Sequence, residues 1–276
     1  MRIAITHTTI YHSDGAGRAI QALRLTPPSG RSQTVVSWHI RVPGEGAPLR
    51  YTDAFGNEVE LVASHGPVMD VEIVAEGVVE TTDTAGVIGW TGEAMAAAVC
   101  LRDTKLTEAD DAIRAFAQSC RRADTIATLH AILDGLHEVV AYNTSATTSD
   151  TTAIAAFASR RGVCQDHAHV FIAAARSLAI PARYVTGYLL TDGGDAVAHH
   201  AWAEALAPDI GWVGFDAANG QCPTERYVRL AIGLDAIEAA PIRGVRLGAA
   251  RERLEVSVAV AEQGQSQSQS QSQRQQ

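Results

Sequence analysis

The sequence predicts an α+β protein, with an antiparallel β-rich amino-terminal part ahead of a core that mixes helices and strands. Two observations carry this. Period-two alternation dominates residues 2–90, and apolar residues then fall at helical spacing from Leu106 to Ile180 before strand patterns return. With 276 residues, 46% hydrophobic and 19% charged, the chain can bury a sizeable core.

In order along the chain, RIAITHTTIY alternates, TVVSWHIRV is rich in β-branched and aromatic residues, and NEVELVAS and MDVEIVAEGVVETT repeat the period-two pattern. The clusters LTPPSG, VPGEGAP and DAFGN between them are turn formers. Short strands at this spacing predict a sandwich-like module over 1–90, followed by a core over 91–262. LTEADDAIRAFAQSC and TIATLHAILDGLHEVVAYN read as helices, with Thr107 and Asp110 as a capping arrangement for the first. AIAAFASRRG is expected to be a helix that ends at Gly162, and CQDHAHVFIAAARSLAI a helix stopped by Pro181. ARYVTGYLL, closed by TDGGD, then HAWAEALA and WVGFDA, joined by PDIG, read as strands, as do three later stretches up to RLEVSVAVA. The Gln/Ser-rich tail 263–276 has almost nothing to bury and is expected to be disordered.

A net charge of -9 leaves no basic footprint for nucleic acid or an anionic membrane surface. The start MRIAITHTTIYHSD lacks the apolar core of a secretory signal, and no run of eighteen apolar residues occurs. The four cysteines are spread out with no C-x-x-C pair, as in a reducing compartment, so a cytoplasmic location is expected.

Cys164 follows RRGV and opens an apolar helix, where free N–H groups and the helix dipole favour a thiolate and can hold an oxyanion. A thiol nucleophile needs a base, and the base needs an acceptor on its other ring nitrogen. The hairpin around PDIG supplies both. With the turn at 208–211, residue 206 faces 212 and 200 faces 218, so Asp216 lies diagonally beside His200 on one face. The expected triad is Cys164, His200 and Asp216. Its ordinary counterparts are a buried structural cysteine, a satisfied strand histidine and a turn aspartate. Cys164, His167, His169, His199 and His200 could instead suggest zinc, but His199 and His200 point to opposite faces of a strand and His169 leaves the Cys164 face of its helix, so no metal and no cofactor is expected. Gln165, Trp202 and Tyr142 are candidate substrate contacts, with helix capping and core packing as the plainer roles. Cys222 is near Asp216 in sequence and has no assigned role.

RRGVCQDHAHVFIAAARSLAIPARYVTGYLL and HHAWAEALAPDIGWVGFDAANG resemble the core of the bacterial transglutaminase-like cysteine peptidase family. IQALRLTPPSGRSQTVVSWHI, YTDAFGNEVELV and VETTDTAG are similar to the β domain that precedes that core, so the likeness covers most of the chain apart from the tail. The family's G-V-C falls on Gly162, Val163 and Cys164, its H-A-W on His200 rather than His199, and its aspartate on Asp216. The resemblance implies a papain-like, transglutaminase-like cysteine-proteinase core that forms acyl-enzymes on a peptide or protein substrate. Hydrolysis by a cysteine protease or amidase is the first expectation. Transamidation of a glutamine carboxamide, or a non-catalytic binding module on the same fold, are the alternatives.

Overall fold

The computed structural model describes residues 1–42, 48–90, 97–145, 147–191, 199–248 and 252–263. The turns read at VPGEGAP and TDGGD fall mostly outside these residues, as does the tail beyond Gln263.

The alternating amino-terminal segments form β1 (Arg2–Leu23), β2 (Gln33–Arg41), β3 (Leu49–Thr52) and β4 (Glu58–Thr81). In β1 the period of two is met directly, because Ile3, Ile5, His7 and Thr9 all point inward and are 3% exposed or less. A short β5 (Val87–Gly89) follows. The helical segments are α1 (Asp111–Ser119), α2 (Thr125–Val139), α3 (Ala153–Ser159) and α4 (Cys164–Ser177), with β6 (Ala141–Tyr142) and β7 (Arg161–Gly162) as a small parallel pair between them. Then come β8 (Ala182–Leu189), β9 (His199–Ala207), β10 (Gly211–Phe215), β11 (Tyr227–Gly233), β12 (Ile242–Leu247) and β13 (Glu252–Glu262).

Two antiparallel sheets result. One has the order β12-β1-β4-β2, with β13 also on β1 and β3 on β4; the other runs β11-β8-β9-β10-β5. The helices cover one face of the second sheet, where Ile132, Leu136, Phe171 and Phe215 share a core. Burying each such side chain contributes about 1.5–3 kcal/mol. The first sheet covers the opposite face, where Ile3, Ile5, Leu25 and Ile73 meet Tyr188, Val228 and Leu230. With both faces covered, β10 is buried along its whole length.

β11 is an outer strand whose free backbone edge would invite pairing with another chain. Two side-chain amides close it. The Gln33 amide donates to Arg229 O at 2.9 Å and its oxygen accepts from Arg229 N–H at 2.8 Å, while Asn57 does the same for Ile232 at 2.8 and 2.9 Å. The first sheet is therefore fastened to the second by specific hydrogen bonds as well as by apolar contact.

Three expectations need correction. The division at residue 90 does not follow the sheets, because β5 belongs to the second sheet while β12 and β13 return to β1 in the first. Alternation tells a strand its buried face but not its partner, so the returning strands carried no sign of their destination. The cap of α1 is Asp110 alone, accepting from Ile113 N–H at 2.9 Å, whereas Thr107 is buried and accepts from Arg176 Nη1 at 2.7 Å. Finally, α3 ends at Arg160 in the left-handed region (φ 54°), and Gly162 serves a different purpose described below.

Candidate active site

Gly162 lets the chain enter α4 at close quarters. A Cβ there would lie 2.5 Å from Asp166 Cβ, so any other residue would displace the first turn of the helix. Asp166 occupies that space because its Oδ2 accepts from Val163 N–H at 2.8 Å and from the Thr147 hydroxyl at 2.6 Å. Its carboxyl is almost wholly buried, and burial pushes its pKa up despite these bonds. The N–H groups of Asp166 and His167 both turn to Val163 O, at 3.0 and 3.1 Å. The N–H groups of Cys164 and Gln165 take no partner among the described residues and remain at the mouth of the helix. Cys164, half-buried, sits at that mouth.

The hairpin of β9 and β10 brings the second component. Leu206 pairs with Trp212 and Ala203 with Phe215, which places Asp216 one residue beyond the ladder and beside His200. His200 Nε2 donates to Asp216 Oδ2 at 2.6 Å, and Cys164 is near enough to the same imidazole to act on its charge. With Nε2 committed to Asp216, Nδ1 is the ring nitrogen left for the thiol. Burial by itself would lower the pKa of His200, but the hydrogen bond to Asp216 and the influence of Asp216 and Cys164 on its charge outweigh it and raise it to about 10. The ring therefore carries its second proton at neutral pH.

Asp216 is fully buried and fully engaged. Besides His200, its Oδ2 accepts from Asn219 Nδ2 and from the Tyr227 hydroxyl, each at 2.7 Å, and its Oδ1 accepts the N–H groups of Ala218 and Asn219 at 3.1 and 3.3 Å. Burial opposes ionisation, yet these donors and His200 hold its pKa below the usual carboxylate value. Gln221 Nε2 donates to Tyr227 Oη at 2.8 Å and aims the phenol at the carboxylate.

Residues 114–217, which span Cys164, His200 and Asp216, match the Transglutaminase-like superfamily, and residues 3–80 match the Bacterial transglutaminase-like N-terminal region. The chain carries a transglutaminase-like core behind a bacterial transglutaminase-like N-terminal region. An uncharacterized protein of Mycobacterium leprae (strain TN) is 28% identical over 273 residues, covering 92% of this chain and 96% of its own. An uncharacterized Mycobacterium bovis protein is 26% identical over 273 residues, covering 88% of this chain and 87% of its own. A solved structure described as a "Putative Cysteine Protease from Cytophaga hutchinsonii" covers 95% of this chain and 91% of its own, at 22% identity and a TM-score of 0.73. It shares the α+β fold with the cysteine-proteinase-like core.

The remaining candidates in the transglutaminase-like core sort by burial. Trp202 is 2% exposed and stacks on the His200 ring at 6.3 Å, so it supports the imidazole from within and offers no open face to a substrate. The Gln165 amide donates one N–H to Ser149 O at 3.1 Å. Tyr142 is 52% exposed and lies at the site, where burial, and then the charges of Cys164 and Asp216, push its phenol pKa up. The zinc-type cluster does not converge. His167 bonds to the carbonyls of Val163 and Val140, His169 Nε2 accepts from Ala236 N–H, and His199 bonds to the Thr186 hydroxyl on the far face of β9. Cys222 packs against Gly86, and burial followed by the charge of Asp134 raises its pKa to about 11. Asn219, Gln221 and Tyr227 were missed from the sequence. The D-A-A-N spacing could have shown Asn219 as a turn that folds back on Asp216, but Tyr227 arrives by the pairing of β11 with β8, which has no local signature.

Proposed function

We propose that this protein is a thiol-dependent acyl-transfer enzyme that cleaves amide bonds in peptides or proteins through Cys164, His200 and Asp216. The observation that carries the reading is a single imidazole held at 2.6 Å by a buried carboxylate and within the electrostatic reach of a thiol at a helix mouth. In this scheme Cys164 and His200 rest as a thiolate–imidazolium pair. The thiolate attacks the carbonyl carbon, the C=O pair moves to oxygen, and collapse breaks the C–N bond as His200 gives its proton to the departing amine. Water, deprotonated by the now neutral His200, then releases the acid and the free thiol. An amine in place of water would give transamidation with the same residues. Residues matching a transglutaminase-like core support either outcome, and hydrolysis is preferred because water needs no second binding site. The described cysteines are all free, which supports a reducing, cytoplasmic setting.

Incubation with fluorescein-labelled casein, and separately with casein plus dansylcadaverine, separates the two outcomes. The reading predicts Cys164-dependent release of fluorescent peptides, with little dansyl incorporation. The rate should fall as pH rises through about 10, where His200 loses the proton it must give to the leaving amine. Dansyl incorporation at a comparable rate would make the enzyme a transglutaminase. Equal activity in Cys164→Ala would end the proposal.

A further inference from the structure

A cleft of about 330 Å³ lies between the β1–β2 loop and the end of β5, where the two sheets meet. It is remote from the triad, because β5 pairs Gly89 with Trp212 near the start of β10, whereas Asp216 follows the other end of that strand. Its size falls within the range of small-molecule sites, about 300–1,000 Å³. The charged residues that line it are Arg31 and Arg229, with no carboxylate among the described lining residues, in a chain of net charge -9. Trp90, 68% exposed, places an indole beside them. We infer that this cleft binds a carboxylate carried on an aromatic group, with Arg31 taking the carboxylate and Trp90 the ring.

Each part of the cleft is held by the fold before a ligand arrives. The β1–β2 loop is closed on itself, since Gly30 N–H donates to Gln33 O at 2.8 Å, Gln33 Nε2 to Pro28 O at 2.7 Å and Val35 N–H to Ser29 Oγ at 3.0 Å. Arg31 stands on that loop, exposed, and forms no ion pair or hydrogen bond among the described residues. Its Nη1 lies 3.7 Å from the position a Cβ on Gly89 would take, which sets the guanidinium against the residue preceding Trp90. The backbone of Trp90 is fixed from behind by Gly211, where a Cβ would come within 2.7 Å of Trp90 N. Arg229 is turned toward Glu204, with Nε 2.9 Å from Oε1 and Nη2 3.2 Å from Oε2, so its charge is shared with a carboxylate of the protein. Arg31 is then the cation open to a ligand, and one guanidinium matches one carboxylate through two parallel hydrogen bonds. A singly charged carboxylate suits this balance better than a doubly charged phosphate, and the indole face offers stacking to a flat ring. A free aromatic acid and an aromatic residue at the carboxy terminus of a peptide present the same chemistry.

Isothermal titration calorimetry on the full chain tests this with matched pairs of ligands. Phenylacetate is compared with phenylacetamide, and acetyl-Ala-Ala-Phe with a free carboxy terminus is compared with its amide; the peptides are titrated into Cys164→Ala so that none is turned over. One or both acids should bind with a Kd on the order of 1 mM or tighter, and the amides should not. Arg31→Gln should weaken acid binding about tenfold or more, and Trp90→Ala about 2–10-fold, each with an unchanged circular dichroism spectrum. Binding of phenylacetate assigns the cleft to a free acid, and binding of the peptide acid alone assigns it to a carboxy terminus; both uphold the inference. Amides that bind as well as the acids, an Arg31→Gln affinity equal to wild type, or no saturable binding by either acid would overturn it. Loss of phenylacetate binding in Cys164→Ala would place the ligand at the triad and overturn it as well. No turnover enters the measurement, so its outcome is independent of whether Cys164, His200 and Asp216 carry out acyl transfer.

Discussion

Asp216→Ala is expected to slow the acetylation of Cys164 by p-nitrophenyl acetate about a hundredfold at pH 7, with the fold retained as judged by circular dichroism. The carboxylate fixes Nε2 of His200 at 2.6 Å and so leaves Nδ1 for the thiol, and its charge keeps the imidazole protonated. Removing it takes away both functions, and loss of a positioned acid–base partner costs about 10²–10⁴ in rate. Asp216→Asn separates them. The amide oxygen can still accept from Nε2, so the smaller part of the loss should appear there. Without the negative charge, one of the causes that raises the pKa of His200 is gone, and the alkaline limb of casein cleavage, where His200 must protonate the leaving amine, should move down from about pH 10. An unmoved limb in Asp216→Asn would show that this carboxylate does not set the charge on His200.

The largest expected loss of stability comes from a residue four positions farther along the same strand. Glu204 is 0% exposed and lies between Arg183, whose Nε reaches Oε2 at 2.7 Å, and Arg229, whose Nε lies 2.9 Å from Oε1. The Arg183 guanidinium also stacks over the Trp212 ring, 3.8 Å from its centroid. Burial pushes the Glu204 pKa up, but the two guanidiniums outweigh it and hold it below the usual carboxylate value. Glu204→Gln keeps the shape and removes the charge, so two buried or nearly buried guanidiniums lose the carboxylate they share. Breaking a buried pair in this way costs about 3–5 kcal/mol, which urea denaturation would read as a clear drop in midpoint at an unchanged slope. A group with a depressed folded pKa stabilises at pH values above its unfolded value, and that contribution is lost as pH falls through the folded one. The gap between wild type and Glu204→Gln should therefore be full at pH 7 and narrow on acidification below about pH 4. A variant as stable as wild type at pH 7 would mean that the triad of charges contributes nothing net.

How much of this was legible in the sequence depended on whether the relevant geometry was local. The His200–Asp216 relation could be read because a tight turn fixes register, and the pairing of 206 with 212 inferred from PDIG is the pairing found. Cys164 could be placed because the break before α4 and the apolar run after it are both local signals. Gly162 drew attention for the wrong reason: a glycine after a helix suggests a C-cap, but Arg160 takes the left-handed position and Gly162 makes room for Asp166. Thr107 and Asp110 read together as one capping arrangement, but the buried guanidinium of Arg176 takes Thr107 and leaves the cap to Asp110. The contacts made over long sequence separations stayed hidden. Tyr227 on Asp216, Gln33 and Asn57 on the edge of β11, and the return of β12 and β13 to β1 depend on how two sheets pack, and side-chain alternation looks the same whichever neighbour a strand chooses.

The most direct measurement is iodoacetamide labelling across pH 5–9, mapped by mass spectrometry in wild type and in His200→Ala. The other cysteines serve as internal controls, since Cys100 is buried and burial raises the pKa of both Cys120 and Cys222. The thiolate–imidazolium pair predicts that Cys164 alone labels fast at pH 6 in wild type and that this advantage disappears in His200→Ala. Uniform labelling of all four cysteines, or fast labelling of Cys164 that survives the loss of His200, would contradict it.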